Sequence, residues 1–374
     1  MRFTLSSTAL NSRLNMLSRV INSKNSLAIL GCFLFQIKEG ILTITASDSE
    51  NIMQSRINLE KSEGEGEFAV PSHTMLDALK ELPEQPLDID INTETYAIQI
   101  FYQNGVYNFT AQGAEEYPRS ATMTDAATSL TIDAGVLSDN ITRSLFASAQ
   151  EELRPVMNGI FFDLSTDSLA IVASDGHKLV RNTNTNIHSD IPASFILSKK
   201  PAALLKNILQ KDSGDVVIKF DDRNAEITFS EGLLKCRLIE GRYPNYNSVI
   251  PKDNPNLLTI DRKNLLSALR RVVPFANESS QLVRLRIDNG KLDLTSEDLE
   301  FATSAEEKLS CDYTGTPMSI GFKGISLMEI LSSLDSDEII LQLADPSRAG
   351  VIVPVTQPEN EKILMLIMPM LLND

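Results

Sequence analysis

A tetrapeptide that returns sets the frame for this chain. Leu130-Thr131-Ile132-Asp133 recurs as Leu258-Thr259-Ile260-Asp261, 128 positions later. Each copy runs into the spacing of an amphipathic helix, with Val136, Leu137, Ile141 and Leu145 after the first and Leu265, Leu266, Leu269 and Val272 after the second. The N-terminus fits the same template, RFTLS followed by Leu10, Leu14, Leu17 and Ile21. Behind each helix stands an alternating β pattern. FLFQIKEGILTITASDSENIM, IFFDLSTDSLAIVASDGHKLV and VRLRIDNGKLDLTSEDLEFAT superpose without a gap, each reading strand, turn, strand, turn, strand. Glu39-Gly40, Thr166-Asp167 and Asn289-Gly290 occupy the first turn. The chain is a threefold repeat.

A second unit follows in each third. EFAVPSHTMLDALKEL, SFILSKKPAALLKNIL and SIGFKGISLMEILSSL each predict a short strand feeding a short helix, and further alternating strands come after. Each third is therefore β-α-β-β-β twice, six such units in an α+β chain. Two loop-like segments containing Tyr-Pro separate the thirds, which places domains at 1–125, 126–253 and 254–374.

With 374 residues, 42% apolar and 22% charged, the chain has enough apolar material for real cores, and wholesale disorder is excluded. Its three cysteines, Cys32, Cys236 and Cys311, are far apart and form no CxxC pair, which fits a reducing cytosol. The first ten residues carry no apolar leader core, and no stretch reaches the ~18 apolar residues a membrane helix needs. The expectation is a cytoplasmic protein.

The net charge of -16 argues against a surface coated in positive charge, yet the predicted helices depart from it. Residues 7–24 hold Arg13, Arg19 and Lys24; residues 199–211 hold Lys199, Lys200, Lys206 and Lys211; residues 262–274 hold Arg262, Lys263, Arg270 and Arg271. None of these three segments contains an acid. The six helices together carry about +10, which leaves about -26 for everything else. Short helices showing Lys and Arg to solvent would be unremarkable singly. Three acid-free basic helices in an acidic body form the electrostatic footprint of a polyanion guide. Aromatics are only 6% with no Trp, and none stud these helices, so contact with backbone phosphate rather than base reading is expected.

Candidates for chemistry are few. Asp175-Gly176-His177 sets a carboxylate beside an imidazole, as an acid/base pair would require. Against that, Asp48 holds the equivalent place in the first third and Glu297 in the third, and Asp-Gly is a turn dipeptide. The three histidines, His73, His177 and His188, are scattered and make no metal set. No phosphate-loop, dinucleotide, zinc-protease or nucleophile-elbow motif occurs. The acidic runs Glu63–Glu67 and Glu359–Glu361 read as solvated loops. No enzyme and no cofactor are expected. The tail, Ile363 to Leu372, is the most apolar stretch: its first half reads as a last core strand. Met368-Pro369-Met370 suits instead an adaptable apolar pocket, because Pro cannot continue a central strand and thioethers accommodate varied side chains.

At this point the residues resemble a known family, the bacterial sliding clamps, the beta subunits of DNA polymerase III. The threefold repeat, LAILGCFLFQI, LRPVMNGIFFDL, ASDGHKLV, EGRYPNYNSVIP and the terminal MPM carry the resemblance over the whole chain. It implies the DNA-clamp fold, closed as a ring-shaped head-to-tail homodimer with helices lining a hole around duplex DNA, bound without sequence preference. It also implies a peptide pocket used by the replicative DNA polymerase, the clamp loader, and repair and translesion polymerases. Matched motif by motif, the pocket comprises Met157, Ser174, Gly176, His177, Lys178, Leu179, Pro244, Ser248, Val249, Leu366, Met368, Pro369 and Met370. Lys24, Arg13, Arg19, Lys199, Lys200, Lys206, Arg270 and Arg271 would face DNA, and Phe109 and Phe275 would meet at the dimer edge. Simple geometry agrees with two copies. Six helices spaced ~9 Å apart close a circle of about 17 Å, whereas twelve give about 34 Å and a hole of roughly 24 Å.

The chain departs from the family in several places. Leu371 stands where the family often has Arg, with Asn373-Asp374 extending the tail; Lys178 replaces a common Arg, and Ser248 a basic residue. Glu306 and Glu307 match an acidic edge, but residues 101–112 opposite contain no Lys or Arg, which speaks against an interface built on salt bridges. The competing reading is a ring-shaped protein-binding scaffold without nucleic acid, favoured by the acidic total and opposed by the basic helices.

Overall fold

A computed structural model describes residues 1–22, 24, 27–119, 123–124, 127–150 and 153–372. The predicted domain boundary at 125/126 and the Asn373-Asp374 extension lie outside the described residues. The six expected helices are present: α1 (Ser7–Ser18), α2 (Ser72–Leu79), α3 (Ala134–Leu145), α4 (Lys199–Leu209), α5 (Arg262–Val272) and α6 (Gly324–Ser332). The longer basic segments end early, so Arg19, Lys24 and Lys211 follow their helices rather than belonging to them.

The recurring tetrapeptide has a local cause. Its last residue caps the helix that follows: Asp261 Oδ1 accepts from Asn264 N at 2.7 Å, Asp133 Oδ1 from Val136 N at 3.0 Å, and Ser6 Oγ from Ala9 N at 3.1 Å. Strand and helix are thus punctuated by one polar side chain. The apolar spacing then buries Leu10, Leu14 and Leu17 on α1, and Leu265, Leu266, Leu269 and Val272 on α5.

The chain divides into two compact units, Met1–Ser138 with Ala203–Leu238, and Asp139–Ala202 with Ile239–Asp374. Among the described residues, the first holds a five-stranded and an eight-stranded sheet and the second a nine-stranded and a four-stranded sheet, with antiparallel ladders. Strands from different thirds join within each unit. In the first, Asn51–Asn58 pairs with Gly232–Arg237; in the second, Lys178–Asn184 pairs with Glu361–Ile367. The expected β-α-β-β-β pattern is present twice in every third, with short extra strands at Lys61–Glu63 and Asp312–Thr314.

Two expectations need correction. The three hairpins do not superpose without a gap: Ser47 pairs with Ile52 and Ser174 with Leu179, but Glu297 pairs with Ser304. The third turn is two residues longer. Independently of that insertion, which lies after it, the acid equivalent to Asp48 and Asp175 is Asp298, not Glu297, since it takes the sixteenth place of the third segment and Oδ1 of each accepts the N–H groups two and three residues on. Secondly, Glu361 is no solvated loop residue. It is 8% exposed, accepting from Arg143 Nη1 at 3.1 Å and Asn140 Nδ2 at 2.7 Å. A buried guanidinium needs such a carboxylate.

Candidate functional site

The residues matched to the pocket all fall in the second unit. Antiparallel pairing sets Leu179 opposite Leu366, and both belong to one apolar cluster with Tyr243, Tyr246 and Ala349. Met157, Leu179 and Leu366 are buried, whereas Gly176, His177, Pro244, Ser248, Val249 and Met368 are exposed. Val249 at 55% and Met368 at 40% leave apolar surface open where the buried leucines end. Pro369 and Met370 are half-buried. Met368 N donates to His177 O at 2.8 Å and Met370 N to Gly321 O at 2.8 Å, so the tail is tied down on both sides of the proline by its own backbone.

The loop Asp175–Lys178 is turn architecture. Ser174 Oγ donates to Lys178 O at 2.9 Å and accepts from Gly176 N at 3.1 Å; Gly176 takes φ +90°, a conformation open to glycine. Asp175 Oδ1 accepts from His177 N and Lys178 N and Oδ2 from Lys178 Nζ, so both carboxylate oxygens are engaged by donors other than the imidazole. Lys178 is buried, its Nζ 2.7 Å from Asp175 Oδ2 and 3.3 Å from Glu329 Oε2. Burial pushes the Asp175 carboxyl up, but the Lys178 ammonium and two N–H groups outweigh it and hold it below its ordinary value. Burial likewise works to lower Lys178, and its two acids raise it overall. Lys178 is a brace for the loop, engaged inside the protein.

Neighbouring residues that sequence reasoning passed over complete the surroundings. Phe161 stacks on Tyr243 at 4.6 Å between ring centroids and meets Tyr246 edge-on at 6.2 Å. Tyr246 Oη donates to Asp163 Oδ2 at 2.8 Å; burial, then that carboxylate, push its pKa up to about 12. Arg154, exposed, brings Nη1 to within 3.1 Å of where a Gly176 Cβ would stand. The Tyr-Pro-Asn-Tyr segment and the Arg before Pro155 were the available signals.

The cations assigned to DNA fare unequally. Arg13 pairs with Glu231, and Arg271 pairs with Glu307 at 2.6 and 3.0 Å. Arg262 is buried, donating to Ser336 O and Leu331 O. Lys263 meets Asp337 at 3.3 Å. Burial, then the charge of Lys178, lower the pKa of Lys199. Among the described residues, Arg19, Lys24, Lys206 and Arg270 have no ion pair. Arg19 and Lys211 line a cleft of about 430 Å3 beside Asn207, Asp212 and Glu231. The helical cationic surplus is thus smaller than +10. Phe109 is half-exposed on the edge strand Gly105–Thr110, and Phe275 is 42% exposed. Among the described residues, no group of three His, Cys, Asp or Glu could hold a metal ion, and no helix is long and apolar enough to cross a membrane.

Family models place this arrangement. Those described as the N-terminal, central and C-terminal domains of the DNA polymerase III beta subunit match residues 1–122, 131–245 and 247–371. The beta sliding clamp of Pseudomonas putida is 27% identical over 368 residues, covering 98% of this chain and 99% of that protein. That of Chlamydia muridarum is 25% identical over 377 residues, covering both chains fully. Among solved structures, a sliding clamp from Pseudomonas aeruginosa bound to griselimycin superposes with a TM-score of 0.93 at 25% identity over 100% of both chains. The DNA polymerase III beta subunit of Thermotoga maritima reaches 0.89 at 24% identity, again over 100% of each, and speaks to the fold.

Proposed function

The chain belongs to the family of DNA polymerase III beta subunits, the sliding clamps, and from that premise we propose that it is a processivity factor acting without catalysis. Two copies close around duplex DNA, and the three repeated domains, 1–125, 126–253 and 254–374, supply the helices that face it. Enclosure removes the need for tight binding: weak, screened phosphate contacts let a closed ring slide while topology retains it. The observation that carries this reading is full-length agreement, three consecutive family domains matching residues 1–122, 131–245 and 247–371 of a chain whose own sequence repeats three times.

The same membership supports reading the Leu179–Leu366 cluster and the exposed Val249 and Met368 as the seat of partner peptides from the replicative polymerase, the clamp loader and repair or translesion polymerases. Burial of a partner Leu or Phe there contributes roughly 1.5–3 kcal/mol per fully buried side chain. Lys178 is engaged by Asp175 and Glu329, Ser248 Oγ donates to Asn245 O at 2.7 Å, and Leu371 is 83% exposed, so the seat is chiefly apolar. Cytoplasmic location follows from the role. The deciding experiment loads the protein on nicked circular DNA and then linearises it. Retention before the cut and release after it are expected; equal retention on both forms, or none on the circle, would refute enclosure.

A further inference from the structure

The tail beside the apolar seat is tied to two sheets of the second unit. Lys178–Asn184 and Glu361–Ile367 pair from Asn184 opposite Glu361 to Lys178 opposite Ile367, inside the nine-stranded sheet. Their ladder runs one residue further, because Met368 N donates to His177 O at 2.8 Å. Pro369 has no N–H with which to extend it. The next bond leaves for another partner, from Met370 N to Gly321 O at 2.8 Å. Gly321 belongs to Met318–Lys323, the edge strand of the four-stranded sheet. Met368 is thus held, 40% exposed, between one carbonyl at the end of the first sheet and one on the edge of the second.

An ion pair crosses the same gap. Lys178 opens its strand of the nine-stranded sheet, and Glu329 lies on α6, which begins at Gly324 directly after the strand that carries Gly321. Lys178 Nζ stands 2.7 Å from Asp175 Oδ2 and 3.3 Å from Glu329 Oε2. The two acids differ in what they can do. Asp175 is three residues from Lys178 and stiffens the loop from within. Glu329 is on a different element and ties that loop to α6. A lysine ammonium is a point charge on a flexible stem, so its partners decide where it rests. Lys199, at the start of α4, pushes from the other side: the charge of Lys178 helps to lower its pKa. The remaining tie between these thirds, Arg143 to Glu361, sits at the opposite end of the ladder, away from the tail.

We infer that Glu329 is a positioning residue of the peptide seat: through Lys178 it fixes His177 O relative to Gly321 O, and with them the pose in which the tail presents Met368. This rests on reading the Leu179–Leu366 cluster as that seat. Glu329 itself needs no contact with a partner, and its side chain is 40% exposed while that of Lys178 is 10% exposed.

The test uses the full chain and two readouts. One is amide exchange of the tail fragment containing Met368, followed by mass spectrometry. The other is the Kd of the labelled peptide fluorescein-Ser-Leu-Ser-Leu-Phe, which offers Leu and Phe side chains to the seat. Glu329→Gln keeps the size of the side chain and removes its charge. It is expected to speed exchange at Met368 and to weaken the peptide Kd, each by more than about twofold at low salt. In a Lys178→Gln background the same change is expected to add nothing to either readout, since Glu329 acts through Lys178. A purely structural role for Glu329 would show equally in both backgrounds. Equal increments in the two backgrounds, or exchange at Met368 altered by less than about twofold in Glu329→Gln alone, overturn the positioning role. Failure of the unmodified chain to bind the peptide overturns the seat instead, and the exchange rates then still decide whether Glu329 holds the tail.

Discussion

Glu361 shows how much a single side chain can decide. It and Arg143 each have 8% exposed side chains and sit 3.1 Å apart, so neither charge has water to fall back on. Deleting one partner of such a pair costs about 3–5 kcal/mol when the survivor stays buried and uncompensated, and without Glu361 the Arg143 guanidinium keeps only the exposed Asp139, whose Oδ2 lies 3.5 Å from Nη2. Glu361→Ala is expected to lose about 3 kcal/mol in denaturant unfolding, and Arg143→Met with Glu361→Leu to recover most of it; a loss below about 1 kcal/mol would mean that Asp139 and water suffice for the guanidinium. The pair Asp175–Lys178 acts through pH. Asp175 lies below its ordinary value when folded, so its contribution is present above the unfolded pKa and is lost as pH falls through the folded one. Lys178 lies above its ordinary value, so its contribution is present below the unfolded pKa and is lost as pH rises through the folded one. Lys178→Met is expected to move the Asp175 carboxyl upward, read by NMR titration, since the burial that opposes its charge remains; an unmoved titration would assign the shift to the backbone N–H groups alone. The turn role of Asp175 was legible from Asp-Gly and the repeat. The burial of Glu361 was not, because its Arg143 partner is 218 positions away and a Glu-Asn-Glu run looks like any solvated loop.

At the scale of elements, the repeated strand–helix boundary was the most readable feature, because its signal is local: alternating residues, one capping side chain, then apolar residues at helical spacing. Asp133 and Asp261 each accept one otherwise orphaned N–H at 3.0 and 2.7 Å. Asp133→Ala and Asp261→Ala are each expected to destabilise by about 1 kcal/mol, and Asp→Asn by much less, in thermal or denaturant unfolding. Equal losses for Ala and Asn would show that the acid's charge, not its cap, matters. Helix ends were less readable, since Lys and Arg beyond the last turn continue the same composition. The lengthened third turn was hidden for a sharper reason. Strand side chains alternate with period two, so a two-residue insertion returns every later residue to its original face, and the hydrophobic pattern passes through it unchanged. Only the pairing of Glu297 with Ser304 exposes it.

For the molecule as a whole, the acidic total and the basic helices were both visible, but counting charge by segment overstated what is available to a polyanion. Ion pairs join residues distant in sequence, Arg13 with Glu231 and Arg271 with Glu307, and these cations are partly neutralised before any phosphate arrives. Arg19, Lys206 and Arg270 have no such partner among the described residues. Each residue in either group carries the same formal charge, so the loss per residue separates a count from a structure. If the duplex is guided by free cations, converting Arg19, Lys206 and Arg270 together to Ala should reduce the slope of log affinity against log salt for linear duplex by about two to three units. Arg13→Ala with Arg271→Ala should reduce it by much less than the two units a bare count demands, because each removal also unmasks a carboxylate that repels the backbone. Circular dichroism and unfolding midpoints would establish that both variants remain folded. Equal loss per residue removed would mean that Glu231 and Glu307 release their partners when DNA enters, and that the acids hold those side chains in place without withholding their charge.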